Sequence, residues 1–249
     1  MELLAYDDIF FAICQYLNLK QIVKLEQLSK RHQHLIRNYP WMHITANLNN
    51  NTLFVLERYH FKKWNLSETN VDDDMIKKLK DSYFLNLSYC KKITDDGVKE
   101  LKNCHTLHLH DTNISDVSVQ ELTKCHTLNL ACSKVTDRSV IQLTNCYNLN
   151  LTGTYVTNNS VKHLKNCHTL NLYMARNITD DAVKELTNCH TLILNELKIT
   201  DESVKELTNC HTLWIDCNSK VTKECLEGLK IYGCLKKCYL IKRRAATIH

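Results

Sequence analysis

The sequence predicts an α/β solenoid with parallel strands on a concave face and short helices on a convex face. A near-constant string recurs along the chain, and LTNCHTL stands word for word at residues 186–192 and 207–213. Leu-x-Leu pairs recur every 21 or 22 residues, and a Thr-Asp or similar pair with a Val-x-x-Leu follows the first six of them. A fixed period of 20 to 50 residues is typical of solenoids.

Each Leu-x-Leu pair predicts one short strand, because alternating apolar residues are typical of a strand with one buried face. An earlier, degenerate unit has Trp64 and Leu66 in place of the two leucines. The regular pairs are Leu85/Leu87, Leu107/Leu109, Leu128/Leu130, Leu149/Leu151, Leu170/Leu172, Leu192/Leu194 and Leu213/Ile215.

The segment after each strand predicts a short helix. A threonine that precedes an aspartate places a hydroxyl at the N-cap and a carboxylate in the first turn, near the positive end of the helix dipole. These threonines are Thr94, Thr136, Thr179 and Thr200. An asparagine after each helix predicts a left-handed C-cap, which this residue type tolerates. The asparagines are Asn103, Asn145, Asn166, Asn188 and Asn209.

A unit of one strand and one short helix cannot bury its apolar face alone, so neighbouring units must stack. Residues 61–231 resemble the leucine-rich repeat family in its cysteine-containing form. The resemblance implies a curved solenoid with a parallel sheet on its concave side. The repeat here is shorter than the usual cysteine-containing type.

The recurring Cys-His pair admits three interpretations: a catalytic dyad, a row of metal ligands, or packing. In this register the Cys is the first core position of each unit, which predicts a buried column of reduced thiols. The column consists of Cys104, Cys125, Cys146, Cys167, Cys189 and Cys210. The adjacent histidines are expected in a second column that flanks the sheet. They are His105, His126, His168, His190 and His211.

Packing is the favoured interpretation. Zinc needs about four converging ligands, whereas a straight ladder offers about two neighbours per ion. Tyr83 and Tyr147 also take the histidine place, which a shared ligand role does not allow. Adjacent Cys and His side chains on a strand point apart, while a nucleophilic dyad needs hydrogen-bond reach. The sequence therefore predicts no enzyme activity, no metal and no cofactor.

Bulk composition excludes several classes of protein. The formal net charge of +5 is mild and partly concentrated near the end, so a nucleic-acid stripe is not indicated. No apolar run approaches the roughly 18 residues of a membrane span. The short run over 9–14 follows Asp7-Asp8 instead of a basic segment, unlike a signal peptide. With thirteen cysteines and no export signal, we expect a cytosolic or nuclear protein.

Residues 1–41 lack the repeat and predict three helices. Asp7 or Asp8 is expected to cap the first, and the break near Asn18-Leu19 separates the second. Ser29 is expected to cap the third, which ends before Tyr39-Pro40-Trp41. One interpretation is a helical cap that seals the first repeat, as solenoids require.

The string DDIFFAICQYLNLKQIVKLEQLSKRHQHLIRNYPW resembles the F-box. The resemblance implies a three-helix unit that docks onto the Skp-type adaptor of cullin-RING ubiquitin ligases. It also implies a set of apolar residues for docking or for the unit's own core: Ile9, Ile13, Leu17, Leu19, Ile22, Leu25, Leu28 and Trp41. Two departures are that Ala5-Tyr6 stands where the family has Leu-Pro, and His32 where an aromatic residue is usual.

The outward strand positions predict a recognition face. Most hold Thr or Asn, which is also the composition of a strand face that is merely solvated. Two groups depart from it and are predicted to bind a target protein, because clustered exposed aromatics are typical of binding surfaces. They are a polar cluster of His108, His110 and Asp111, and an apolar stripe of Tyr173, Met174, Ile193 and Trp214. Alternatively, the segment Tyr239-Leu240-Ile241 covers the stripe.

Together these observations predict four regions. An F-box-like helical domain covers 1–41, a linker or N-terminal cap 42–60, the leucine-rich repeats 61–231, and a C-terminal cap with a basic tail 232–249. The predicted function is substrate recognition for a Skp-cullin-F-box ubiquitin ligase. The alternative is a free-standing interaction scaffold whose F-box-like segment is only a cap.

Overall fold

The computed structural model describes residues 2–14, 16–215 and 220–229. Three helices come first: α1 (Glu2–Cys14), α2 (Leu19–Leu25) and α3 (Lys30–Asn38). Asn18 caps α2 through a capping box with Gln21, and Ser29 caps α3 by accepting the backbone N–H of His32 at 3.2 Å. The predicted break near Asn18 and the predicted cap at Ser29 are therefore confirmed.

The predicted cap at Asp7 or Asp8 is wrong, because both residues lie inside α1. Leu3, Leu4 and Ala5 are good helix formers, so the helix begins several residues before the apolar run over 9–14. The Asp7 carboxylate instead pairs with the Arg31 guanidinium of α3 at 2.6 Å.

The described strands form one parallel sheet of nine strands in sequence order. The strands are β1 (Trp41–Asn47), β2 (Phe61–Asn65), β3 (Phe84–Asn86), β4 (Thr106–His108), β5 (Thr127–Asn129), β6 (Asn148–Asn150), β7 (Thr169–Asn171), β8 (Thr191–Ile193) and β9 (Thr212–Trp214). Leucines face leucines across the register, as in Leu107 opposite Leu128. The sheet already begins in the segment predicted as linker, because β1 pairs with β2 and a 3-10 helix (Asn50–Glu57) follows β1.

A short helix covers the other side of each later repeat. These helices are α4 (Asp73–Lys77), α5 (Asp95–Val98), α6 (Asp116–Val119), α7 (Asp137–Val140), α8 (Asn158–Val161), α9 (Asp180–Val183), α10 (Asp201–Val204) and α11 (Lys223–Gly228). Within the described ranges, none combines the length and apolarity that crossing a bilayer needs.

The interior is filled by leucines and by the predicted column of thiols. Leu107 and Leu109 have no exposed surface, and the six repeated cysteines are at most 4% exposed, so the buried column is confirmed. Burial raises the pKa of Cys104, Cys125 and Cys167 to about 12. The thiols are free, and Cys104 donates its S–H to the Thr106 carbonyl at 3.2 Å.

Most of the described repeats are also linked to the next one through a carboxylate. The Oδ1 of Asp180 accepts the backbone N–H of Thr200 at 2.8 Å and the Ser203 hydroxyl at 2.5 Å, and its Oδ2 accepts the Thr200 hydroxyl at 2.8 Å. The same link, which we call the aspartate ladder, joins Asp73 to Thr94, Asp95 to Ser115, Asp116 to Thr136, Asp137 to Thr157 and Asp201 to Thr222.

At Asp180 the hydrogen bonds of the ladder outweigh the effect of burial on the pKa of the carboxyl. Burial alone would raise the pKa of Asp180, but the bonds from Ser203 and Thr200 bring it below its ordinary value. The predicted side-chain cap is confirmed for Thr94, Thr136 and Thr200; for example, Thr200 Oγ1 accepts the backbone N–H of Glu202 at 3.2 Å. Thr179 stands at the N-cap position of its helix without such a bond.

Asn158 occupies the ladder position of the eighth helix and shows what an amide does there. Its Nδ2 donates to the Thr179 hydroxyl at 2.7 Å, and Thr179 makes no side-chain cap bond to its own helix. Ala182 stands in this repeat where Ser203 stands in the next. An amide thus supplies one acceptor where the carboxylate supplies two.

The predicted left-handed C-caps at the repeated asparagines are wrong. None of these asparagines has a positive φ. Helices α4 to α10 are each followed by a residue in right-handed backbone, as at Lys99 with φ −58°. Left-handed residues instead occupy the turns that follow strands β2 to β8, where the chain reverses direction. They are Glu68, Tyr89, Asp111, Cys132, Gly153, Met174 and Glu196.

We predict that Asp180→Asn lowers the free energy of unfolding by about 1–3 kcal/mol, because it leaves buried donors of the next repeat without a full acceptor. Asp181 is the matched control, since its carboxylate makes only a surface pair with Lys184 at 3.3 Å. Asp181→Asn is expected to change stability by less than about 0.5 kcal/mol. Urea unfolding measures both variants, and equal losses would refute a stabilising role for the ladder.

Candidate functional site

The concave face is built from the strand residues that flank the buried leucines. An asparagine at the last position of a strand also fixes the turn that follows, as in β5, β6 and β7. The Oδ1 atoms of Asn129, Asn150 and Asn171 accept the backbone N–H two residues later at 2.9–3.1 Å. At this strand position β4, β8 and β9 carry His108, Ile193 and Trp214 instead of asparagine. These three repeats therefore lack the asparagine amide that accepts a hydrogen bond from the turn.

The predicted polar cluster spans two neighbouring repeats. The His108 ring meets the Phe84 ring edge-on at 5.4 Å, and burial lowers the pKa of His108. A hydrogen bond of 2.8 Å joins His110 Nε2 to the Tyr89 hydroxyl. The Asp111 carboxylate pairs with Lys91 at 2.7 Å.

Sequence reasoning missed Tyr89 and Lys91 as members of this cluster. Both lie in the turn after β3, outside the strand alternation on which the prediction depended. Their spacing supplies a usable signal: they precede His110 and Asp111 by about one repeat.

The predicted apolar stripe lies at the other end of the sheet. Ile193 and Trp214 are register partners across β8 and β9, and Tyr173 follows the strand residue that pairs with Ile193. Tyr173, Met174 and Trp214 are 37–39% exposed, while Ile193 is half-buried. The structure thus brings the four side chains onto three adjacent repeats. The segment predicted as an alternative cover, 239–241, falls outside the described residues.

The histidine column is confirmed as a continuous stack of rings along one edge of the sheet. Near-parallel ring pairs lie 4.4–4.7 Å apart in the order Tyr83, His105, His126, Tyr147, His168, His190 and His211. Stacking requires only a flat ring, which explains why tyrosine takes the histidine place twice. Burial and the adjacent rings His168 and His211 lower the pKa of His190.

The Cys and His side chains of each pair lie in different surroundings. Each thiol is buried inside the solenoid, while its neighbouring imidazole lies in the edge stack. A thiol with a raised pKa is a poor nucleophile, because the thiolate is the reactive form. Among the residues the structure describes, no group of three or more His, Cys, Asp or Glu side chains is arranged to hold a metal ion.

The residues predicted for adaptor contact divide into three sets. Ile9, Ile13 and Leu28 are 59–64% exposed on the helical unit. Leu17, Leu19 and Leu25 are half-buried against the core. Ile22 and Trp41 have no exposed surface, so in this structure they belong to the core of the unit and the first repeat. The Tyr16 side chain, 90% exposed, joins the first set and was missed.

The helical unit is tied to the first repeat by several contacts. Trp41 Nε1 donates to the Ile36 carbonyl at 2.9 Å. The Tyr59 hydroxyl donates to Glu26 of α2 at 2.7 Å, and Arg37 of α3 pairs with the same carboxylate. Burial and this hydrogen bond raise the pKa of Tyr59 to about 12. The unit therefore also closes the end of the solenoid.

Comparison with known proteins supports the repeat architecture. A leucine-rich repeat family model matches residues 84–102. The internalin C2 structure from Listeria monocytogenes is 24% identical, with a TM-score of 0.52, over 66% of this chain and 73% of that one. Internalin InlF of the same organism is 18% identical over 77% and 71%, with a TM-score of 0.50.

A third similar structure is TLR13 in complex with ssRNA13. It is 17% identical, with a TM-score of 0.58, and covers 84% of this chain but 34% of the TLR13 chain. No curated protein matches by sequence. The chain thus contains a leucine-rich repeat and has the leucine-rich-repeat solenoid fold, whereas the F-box resemblance of residues 1–41 stays a prediction.

We predict that the ring column makes the fold sensitive to mild acid. Because the folded-state pKa of His190 lies below the ordinary 6.5, stability is lost as the pH falls from 6.5 through that lower pKa. The variant His190→Tyr keeps a flat ring but cannot become charged. The decrease in Tm between about pH 7.5 and about pH 5.5 should therefore be smaller in this variant than in the wild type.

The control for this prediction is His163→Tyr, which replaces an exposed histidine outside the column. Its Tm should follow the wild-type pH dependence. Identical pH profiles for His190→Tyr and the wild type would contradict a role of stacked imidazoles in acid sensitivity.

Proposed function

We propose that the protein is a non-enzymatic adaptor that recruits a target protein to a ubiquitin ligase. The solenoid holds the target through its concave face, and the N-terminal helical unit holds a Skp-type adaptor and, through it, a cullin-RING ligase. Tethering a target near the transfer machinery raises its effective concentration there. Such machinery works in the cytosol or nucleus, in keeping with thirteen cysteines in the chain.

The observation that carries the proposal is that the helical unit keeps exposed aliphatic residues in addition to its contacts with the first repeat. Trp41 and Tyr59 fix the unit to that repeat. Ile9, Ile13 and Leu28 are nevertheless more than half exposed. A unit that served only to seal the solenoid has no need of exposed aliphatic residues, whereas a docking surface does.

A protein is the partner that best fits the concave face. The apolar stripe places two aromatic side chains, a methionine and an isoleucine on adjacent repeats, and aromatic anchors dominate protein interfaces. The strand positions around it are mainly Thr and Asn, without the clustered Lys and Arg that phosphate binding requires. This composition favours a protein target over a nucleic acid.

A free-standing interaction scaffold is the second candidate. It is favoured by the contacts that make the helical unit a cap, above all the burial of Ile22 and Trp41. The two candidates share the solenoid face and differ only in whether the exposed side of the unit has a partner. Neither uses the repeated thiols, whose burial and raised pKa oppose a role in catalysis.

We predict that the purified chain binds a recombinant Skp-type adaptor, and that Ile13→Asp weakens this binding by roughly tenfold or more. The reason is that an exposed aliphatic contact becomes a charge that must be desolvated. Val117→Asp is the matched control, because Val117 is 62% exposed on α6, away from the helical unit. Pull-down and calorimetry measure binding, and circular dichroism checks the fold. Absence of binding by the wild type would favour the scaffold.

We predict that Tyr173→Ala combined with Trp214→Ala abolishes enrichment of the target in proximity labelling, while adaptor binding is unchanged. Loss of both aromatic anchors removes the centre of the apolar stripe. Tyr155→Ala is the control, since Tyr155 is 64% exposed but lies outside the stripe. Unchanged enrichment in the double variant would show that the target binds elsewhere on the solenoid.

A further inference from the structure

Three cationic side chains follow the strands that carry the apolar stripe. Arg176, Lys198 and Lys220 stand after β7, β8 and β9, one on each repeat, and all three are exposed. Within the described part of the chain, none of the three has an ion-pair partner. We call these residues the basic row.

Cations on the helices of the same solenoid show a contrasting arrangement. Lys99, Lys184 and Lys223 each pair with a carboxylate one turn away on their own helix, at 2.8, 3.3 and 3.0 Å. Such pairs balance charge locally on a solvated surface. The basic row lacks this balance, so its charge is directed at solvent or at a bound molecule.

The backbone fixes the basic row beside the apolar stripe. Arg176 lies in the turn that follows β7, and its backbone N–H donates to the carbonyl of Met174, a member of the stripe, at 2.9 Å. The backbone N–H of Lys220 donates to the Ile199 carbonyl at 3.0 Å, so Lys220 follows Lys198 by one repeat. Neighbouring parallel strands lie about 4.8 Å apart. The stripe and the row therefore cross the same three repeats.

The carboxylates that lie nearest to the basic row in the sequence are engaged elsewhere. Asp180 and Asp201 belong to the aspartate ladder, and hydrogen bonds from the next repeat occupy their oxygens. Glu196 stands in the same turn as Lys198 and makes an interaction of its own. Asp216 falls outside the described residues. The basic row is thus open to the anionic groups of a partner.

The spacing of the cations indicates which anion fits. Phosphate recognition uses clustered arginines that converge on one group, whereas the basic row offers one cation per repeat. A carboxylate carries a single charge and matches a single cation. Sites for single-stranded nucleic acid combine aromatic stacking with a basic groove that tracks the backbone. Here half of the stripe is aliphatic, through Met174 and Ile193, which favours apolar side chains of a protein.

We propose that the target segment bound by this face is acidic. Its aromatic or aliphatic side chains contact the apolar stripe, and its aspartate or glutamate carboxylates face Arg176, Lys198 and Lys220. This inference rests on the target-binding role of the stripe proposed above, and it is independent of whether the helical unit binds an adaptor. Acidic residues beside apolar ones therefore distinguish a target from other proteins.

The test begins with selection from a random peptide display library on the immobilised full-length protein. Selected sequences should be enriched in Asp and Glu beside aromatic or aliphatic residues. The variant Arg176→Glu/Lys198→Glu/Lys220→Glu should lose this preference and select Lys and Arg instead. Lys134→Glu is the matched control, because Lys134 is exposed, stands two repeats before the basic row and has no ion-pair partner among the described residues.

The affinity of one selected acidic peptide, labelled with fluorescein, is then measured by anisotropy. Charge reversal of the basic row should weaken binding roughly tenfold or more, because repulsion replaces attraction at three positions. Raising the NaCl concentration from about 50 mM to about 500 mM should also weaken binding, since salt screens exposed charges. Replacing Asp and Glu of the peptide by Asn and Gln should cause a similar loss.

Circular dichroism checks the fold of each variant. Arg176→Gln/Lys198→Gln/Lys220→Gln keeps the test possible if the charge-reversed variant fails to fold, and it should weaken binding by a smaller factor. The proposal is overturned if the selected peptides lack acidic residues or if Lys134→Glu has the same effect as charge reversal of the row. It is also overturned if a phosphoserine version of the peptide, or a single-stranded oligouridine, binds more than about tenfold more tightly.

The double variant Tyr173→Ala/Trp214→Ala separates this inference from the proposed function. Loss of peptide binding in that variant, together with unchanged binding after charge reversal, keeps the stripe as the target site and rejects only the acidic requirement. If the wild-type protein selects no peptide at all, both the acidic requirement and the target-binding role of the stripe are contradicted.

Discussion

Stacking of the repeats depends on the hydrogen bonds between an aspartate at the start of one helix and the N-cap residue of the next helix. Most strands have three residues and most helices four, so each repeat forms few backbone bonds with its neighbours. On the helix side, the aspartate ladder supplies the directional link. It satisfies the N–H and hydroxyl groups that a short helix leaves open at its start. One residue type thereby caps a helix and sets the distance to the next repeat.

The interior follows from the spacing that this link imposes. A narrow solenoid has room for leucine and for a small side chain such as cysteine, whose burial keeps the thiol protonated. At the edge, the same spacing brings flat rings to 4.4–4.7 Å and favours stacking. The leucines, the thiols and the rings thus form three columns with the same spacing between repeats. The outer face of the strands is left free to vary, and that is where His108 and Trp214 differ from the common asparagine.

Most of the features of the solenoid that sequence alone predicted recur along the chain. The leucine strands, the threonine caps, the thiol column and the ring column all keep their spacing, so a periodic pattern reveals them. The partner of Asp180 escaped prediction, because an aspartate at a helix start is equally well explained by the helix dipole. The left-handed turn escaped because residues as different as Tyr89 and Gly153 occupy it. The first repeat escaped because residues 41–57 lack the leucine pattern.

Near-identity of the units has a genetic consequence. Because residues 186–192 and 207–213 share the same seven letters, a crossover between their codons joins equivalent positions. The product gains or loses one whole repeat, and the aspartate at the new junction can still accept hydrogen bonds from a threonine or serine. The length of the concave face can therefore change in single steps without redesign of any contact. The length of such a protein can therefore evolve through the number of its repeats.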